Sequence, residues 1–129
     1  QEEFPQAYAW ISFSARDGQH ISSGERIADC ARELERFSQI AAIGVNCTAP
    51  EFMPELIAEI KRQSTKPVLV YPNLGEVYDA ETKTWSGAPD MDAYSEHTRH
   101  WHECGAQLIG GCCRTKPSDI GTIAEWARA

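Results

Sequence analysis

The sequence predicts an α/β protein built from four β-then-α units, and three observations carry that prediction. Apolar runs rich in β-branched and aromatic residues alternate with segments of helical periodicity. One run, Ile40 to Cys47, is almost wholly apolar, as a strand is when both faces of a parallel sheet are covered. Cysteines close two of the runs, "AAIGVNC" at Cys47 and "QLIGGCC" at Cys112 and Cys113, 65 residues apart at their first members. Strict alternation implies parallel strands joined by right-handed crossovers, in an open sheet or in part of a barrel.

The elements follow in order. "AYAWISFS", Ala7 to Ser14, reads as a strand and is closed by the polar "ARDGQH". From Gly24, Ile27, Cys30, Ala31, Leu34 and Phe37 recur at three- and four-residue spacings, so a crossover helix with one buried face follows. The second strand is Ile40 to Cys47. After it, Thr48 is a candidate helix cap and Pro50 a helix opener, with Phe52, Leu56, Ile57 and Ile60 as the apolar stripe. "PVLVYPN" is a third buried strand ending at Asn73. "LGEVYDAETKTWSGAPD" reads as a long polar loop with turn signals at Ser86, Gly87, Pro89 and Asp90. "MDAYSEHTRHWHECG" is a third helix terminated by Gly105, "AQLIGGCC" a fourth strand, and a last helix runs from about Pro117 with Ser118 and Asp119 in its first turn.

Composition bounds what such a protein does. With 129 residues, 42% hydrophobic and 24% charged, the chain is one domain, residues 1–129, with a modest core. Twelve basic against 19 acidic side chains give a net charge of −7, which disfavours nucleic acid and anionic membrane surfaces as partners. No apolar run approaches the roughly 18 to 20 residues that span a bilayer. Five cysteines are an odd count, and no leading segment resembles a secretory signal, so a reducing, cytoplasmic setting is expected.

Parallel strands place their carboxyl ends on one face, so thiols ending two of them converge although distant in sequence. Cys47, Cys112 and Cys113 therefore form a candidate tri-thiolate site. Thiolate sulfur suits zinc, and three protein ligands leave a fourth position for water or substrate, the mark of a catalytic rather than a structural site. Cys30 and Cys104 read as small core hydrophobes. His97, His100 and His102 share a helix with Cys104 and form a weaker metal alternative. Adjacent Cys112 and Cys113 would make a strained disulfide ring and lack Cys-x-x-Cys spacing, so a redox dithiol there is a minor alternative. Trp10, Trp101 and Trp126 read as core or helix-packing residues. Every chemically suggestive residue falls at a strand's carboxyl end, where barrel active sites are built, and four units are half of an eight-unit barrel.

"GVNC", "VLVYPNLGE", "YDAETKTW" and "LIGGCCRTKPSDI" together closely resemble the carboxyl-terminal part of zinc-dependent homocysteine S-methyltransferases, particularly the type that uses S-methylmethionine. The resemblance covers essentially the whole chain. It implies four units from the C-terminal half of a (β/α)8 barrel, with Zn2+ held by Cys47, Cys112 and Cys113 and no catalytic residue beyond those ligands. It further implies methyl transfer from a sulfonium donor, S-methylmethionine or S-adenosylmethionine, to the thiol of homocysteine, giving methionine. A complete barrel takes roughly 250 residues, so the amino-terminal half would come from another chain or from self-association. The runner-up is a non-catalytic zinc-binding half-barrel module that assembles with a partner. Asn73 matches a residue that in some relatives approaches the zinc, and is otherwise a turn residue. Asn46 braces the Cys47 loop, contacts substrate or faces the barrel wall. Gly110 and Gly111 allow close backbone approach beside the metal. Trp85 is a candidate lid over the donor through cation–π attraction, or a packing residue.

Overall fold

The computed structural model describes residues 3–74, 77–87 and 91–129. Its elements run β1 (Ala9–Phe13), α1 (Ile27–Glu35), β2 (Ile40–Asn46), a 3-10 turn (Pro50–Phe52), α2 (Met53–Gln63), β3 (Val68–Tyr71), β4 (Val77–Asp79), β5 (Thr84–Ser86), α3 (Met91–Cys104), β6 (Ala106–Ile109) and α4 (Pro117–Arg128). The four long-range strands form one parallel sheet in the order β1-β2-β3-β6. The expected α/β architecture is therefore present, with each strand of that sheet followed by a helix, β3 after the intervening β4 and β5.

Helices cover one face of that sheet. Ile43 and Val45 of β2 and Val68 and Val70 of β3 are fully buried. They join one cluster with Ile27 of α1, Leu56, Ile57 and Ile60 of α2, Trp101 of α3 and Ile123 of α4. By the period-two rule the alternate residues, Trp10, Ser12, Asn46, Leu69 and Tyr71, lie on the opposite face. A register shift between Val68 and Leu69 sets Leu108 of β6 beside Leu69, and Leu108 is 46% exposed.

Several expectations change here. Trp10 is 62% exposed, because β1 is an edge strand and Trp10 points away from the helices; Trp101 is fully buried and Trp126 packs on the core, as expected. The loop after β3 is not wholly irregular: β4 and β5 pair as an antiparallel ribbon that includes Ser86. Gly87 takes a positive φ of 98° there, while Pro89, Asp90 and the Trp85 side chain lie outside the described residues. β2 stops at Asn46, leaving Cys47 beyond the strand in a left-handed conformation, φ 46°. Thr48 is no helix cap; Ala49 occupies that position without a side-chain bond, and a 3-10 turn beginning at Pro50 precedes α2. Gly105, φ 114°, ends α3 where the sequence placed its terminator. Among the described residues no helix is long and apolar enough to cross a membrane.

Candidate metal centre

β3 is the template on which the three cysteines meet. The Cys47 N–H donates to Tyr71 O at 3.2 Å on one side of the strand, and the Cys112 N–H donates to Pro72 O at 3.2 Å on the other. The Gly110 N–H bonds Val70 O at 2.9 Å, which keeps the segment after β6 in line with β3. The result brings the Cα atoms of Cys47 and Cys112 to 5.9 Å despite a sequence separation of 65. The sulfurs of Cys47, Cys112 and Cys113 all lie within 4.8 Å of one another. Among the described residues this is the one cluster of three or more metal-ligating side chains so arranged.

The thiols differ in one respect from the expected open set. Cys47 and Cys112 are joined as a disulfide, and Cys113 is free with its sulfur 4.0 Å from that of Cys112. The bonded pair is thus not the adjacent Cys112 and Cys113 weighed for a dithiol. Two thiols held this closely across β3, with their Cα atoms 5.9 Å apart, lie within disulfide reach. Reduced, the three sulfurs fit a tetrahedral metal ion: zinc–sulfur bonds of about 2.3 Å place neighbouring sulfurs roughly 3.8 Å apart.

The two asparagines, beside Cys47 and after β3, differ in how their side chains are held. Asn46 Oδ1 accepts from the Ser12 hydroxyl at 2.8 Å, so its side chain is braced against β1. Asn73 donates its N–H to Thr48 O at 3.2 Å, while its Oδ1 is buried without a hydrogen-bond partner. An orphaned carbonyl oxygen costs desolvation energy unless something is bound to it. At Gly111 an added Cβ would fall 2.1 Å from Thr115 Cγ2, so the Thr115 side chain packs where a side chain at 111 would stand. At Gly110 it would meet only Tyr71 Cβ at 3.7 Å, an ordinary contact, so packing does not require glycine there.

Further polar residues fix the loops at the strand exits, Tyr94 beside the Cys112 segment and Asp17 in the β1–α1 loop. The Tyr94 hydroxyl donates to Gly110 O at 2.9 Å. Burial, with help from the Asp119 carboxylate, pushes the Tyr94 phenol up to about 12, so it stays a donor. Asp119 is itself buried and accepts the Lys116 N–H at 2.7 Å at the start of α4. In the β1–α1 loop, Asp17 accepts the backbone N–H groups of Gln19 and His20 at 2.8 and 2.7 Å, and lies 3.0 Å from His20 Nδ1. Those bonds, led by the Gln19 amide, hold the Asp17 carboxyl down near 2.

The α3 histidines do not converge. His97 stacks on Trp101, His102 Nδ1 lies 3.1 Å from Ala106 O, and His100 Nε2 lies 3.8 Å from Cys104 Sγ. Cys30 and Cys104 pack against the core as expected, and burial pushes the Cys30 thiol up, which keeps it protonated.

A converging trio of cysteines at the exits of parallel strands is an arrangement that could hold a metal ion, and comparison with known proteins gives the family of the chain. The sequence profile of homocysteine S-methyltransferases matches residues 1–127, and the chain belongs to that family. It is 59% identical over 128 residues to homocysteine S-methyltransferase YbgG of Bacillus subtilis, covering 99% of this chain and 41% of that protein. It is 45% identical over 123 residues to homocysteine S-methyltransferase 4 of Zea mays, covering 93% of this chain and 36% of that one. The fold superposes on the homocysteine methyltransferase MmuM of Escherichia coli with a TM-score of 0.78 for its oxidized form, at 32% identity, and 0.77 for its metallated form, at 34% identity. Each superposition covers 99% of this chain and 38% of MmuM. The chain therefore spans about two fifths of the length of the relatives it matches.

Proposed function

We propose that this chain is the metal-bearing, carboxyl-terminal half of a (β/α)8 homocysteine S-methyltransferase that binds Zn2+ through Cys47, Cys112 and Cys113. The observation that carries the reading is the convergence of three sulfurs within 4.8 Å from the exits of β2 and β6. Family membership supports methyl transfer to homocysteine, and the donor we assign is a sulfonium, S-methylmethionine or S-adenosylmethionine. Bound there, zinc would supply stabilisation of the homocysteine thiolate, the competent nucleophile at neutral pH.

The chain's own residues do the rest. Reduced Cys47, Cys112 and Cys113 supply three negative charges against a divalent ion, and the net negative site favours a cationic sulfonium donor. The leaving thioether is neutral, so no general acid is required. Asn73, with its buried unpartnered Oδ1, supplies a fourth ligand or a polar contact to substrate. Asn46, already engaged by Ser12, braces the Cys47 strand end.

A second reading, a non-catalytic zinc-holding half-barrel that docks a partner chain, rests on the uncovered sheet face. Tyr8, Trp10 and Leu108 are exposed on or beside the two edge strands, where the missing half of a barrel would pair. Zinc content of the reduced protein, measured beside Cys112→Ala, tests the shared premise. About one zinc per chain, lost in the variant, supports both readings. Methionine formation from homocysteine and a sulfonium donor, once an amino-terminal half is supplied, separates the enzyme from the module. A folded, reduced chain without zinc overturns both.

A further inference from the structure

We propose that Thr48 is the positioning residue of the cysteine site, fixing the direction in which Cys47 presents its sulfur. Three strand exits meet on this one side chain and its carbonyl. The Thr48 hydroxyl donates to Asn46 O at 2.8 Å, at the end of β2. The same oxygen accepts the Ala15 N–H at 2.9 Å, just beyond β1. Its backbone carbonyl accepts the Asn73 N–H at 3.2 Å, just beyond β3. Thr48 is only 2% exposed, so these bonds form away from water, where leaving a partner unmade is costly.

Cys47 lies between the two residues closed by the hydroxyl bond, and its φ of 46° is a left-handed conformation that non-glycine residues adopt only at an energetic cost. Such a backbone persists when its surroundings over-determine it. Here the Thr48 hydroxyl bond spans the turn from Asn46 to Thr48, and the Cys47 N–H is anchored on Tyr71 O. The Cα–Cβ direction of Cys47 is therefore set by Thr48 although Thr48 ligates nothing. A threonine that serves as helix cap would turn its oxygen toward the first N–H groups of the helix; this one turns it instead to the Asn46 carbonyl and the Ala15 N–H.

The inference rests on the metal reading above, and the experiment separates the two. Cobalt(II) is titrated into reduced wild-type chain, Thr48→Val and Thr48→Ser, following thiolate-to-cobalt charge-transfer absorption, with circular dichroism on each protein. Thr48→Val keeps the shape and removes both hydroxyl bonds; we expect roughly 10- to 100-fold weaker cobalt binding and an altered band, as for other residues that orient a ligand. Thr48→Ser restores both bonds and should recover affinity to within about threefold. Equal affinity and an unchanged spectrum in a folded Thr48→Val would overturn the proposal. Should that variant not fold, Thr48→Ser against Thr48→Ala, which differ only in the hydroxyl, makes the same comparison. If wild type itself shows no cobalt–thiolate band, the metal reading fails, and the proposal is judged on metal-free protein. There the Cys47–Cys112 disulfide is equilibrated with glutathione, each protein disulfide formed consuming one glutathione disulfide and releasing two glutathione thiols. A tenfold or greater shift toward the dithiol in Thr48→Val supports the positioning role, and an unchanged equilibrium refutes it.

Discussion

The Ser12 hydroxyl donates to Asn46 Oδ1 at 2.8 Å, so the residue directly before Cys47 is held by the neighbouring strand. Asn46 also gives its backbone carbonyl to Thr48. Of the roles the sequence allows for Asn46, the Ser12 bond supports the brace.

Ser12→Ala should therefore destabilise the fold modestly, by about 1 kcal/mol, since a half-buried acceptor loses its donor while water reaches part of it. Urea unfolding of reduced protein at matched slope measures this. A loss far beyond that range would mean that Ser12 has a larger packing role than the bond implies.

Gly44 makes a sharper prediction. A Cβ there would fall 2.0 Å from Leu69 O and 2.8 Å from Leu69 Cβ, so β2 and β3 approach as closely as they do only because the position lacks a side chain. Gly44→Ala should cost at least 1 to 3 kcal/mol or prevent folding, and the Cys47 turn should be displaced with β2. The denaturation midpoint and, in any soluble variant, zinc content report the two effects.

Tyr94 ties the stability of the Cys112 loop to alkaline pH. The phenol titrates near 10 in an unfolded chain and about 12 in the folded protein, chiefly through burial. The unfolded chain thus sheds its proton first as pH rises, so this group's contribution is intact below pH about 10 and is lost between about 10 and 12. Tyr94→Phe should remove that alkaline component while lowering stability at neutral pH by about 1 to 3 kcal/mol, because Gly110 O loses its donor. Near-ultraviolet absorbance titration and unfolding at stepped pH check both.

Asp17 behaves in the opposite sense. Its carboxyl sits near 2, below the unfolded value of about 3.9, so its stabilising contribution is present above pH about 4 and fades as pH falls toward 2. Carbon-detected NMR titration should find this carboxylate charged at pH 3. Asp17→Asn should flatten the acid limb of the stability profile and loosen the β1–α1 loop.

Sequence periodicity captured the helices and the parallel sheet because apolar spacing is set by burial on one face, and the helical stripes of α1 and α2 are strong. Cys47, Cys112 and Cys113 were legible for a related reason: strand ends in a parallel sheet share a face, so the topology predicts their meeting. Trp10 was misjudged because a buried-looking strand does not announce that it lies at an edge. Thr48 was misjudged because its position before Pro50 satisfies local capping chemistry, while its real partners, Ala15 and Asn73, are distant in sequence. Tyr94 left no signal at all, since its partner is a main-chain carbonyl 16 positions away.

β3 contributes no sulfur, yet Tyr71 and Pro72 set the separation of the chains that do. The thiol cluster is consequently a record of assembly: it exists only after β2 and β6 have each found the correct register on the strand between them. A one-residue slip of β3 would leave every cysteine in place along the chain and scatter the three sulfurs. Acquisition of a thiol-bound metal by a refolding chain should for that reason lag behind helix formation and coincide with closure of the sheet.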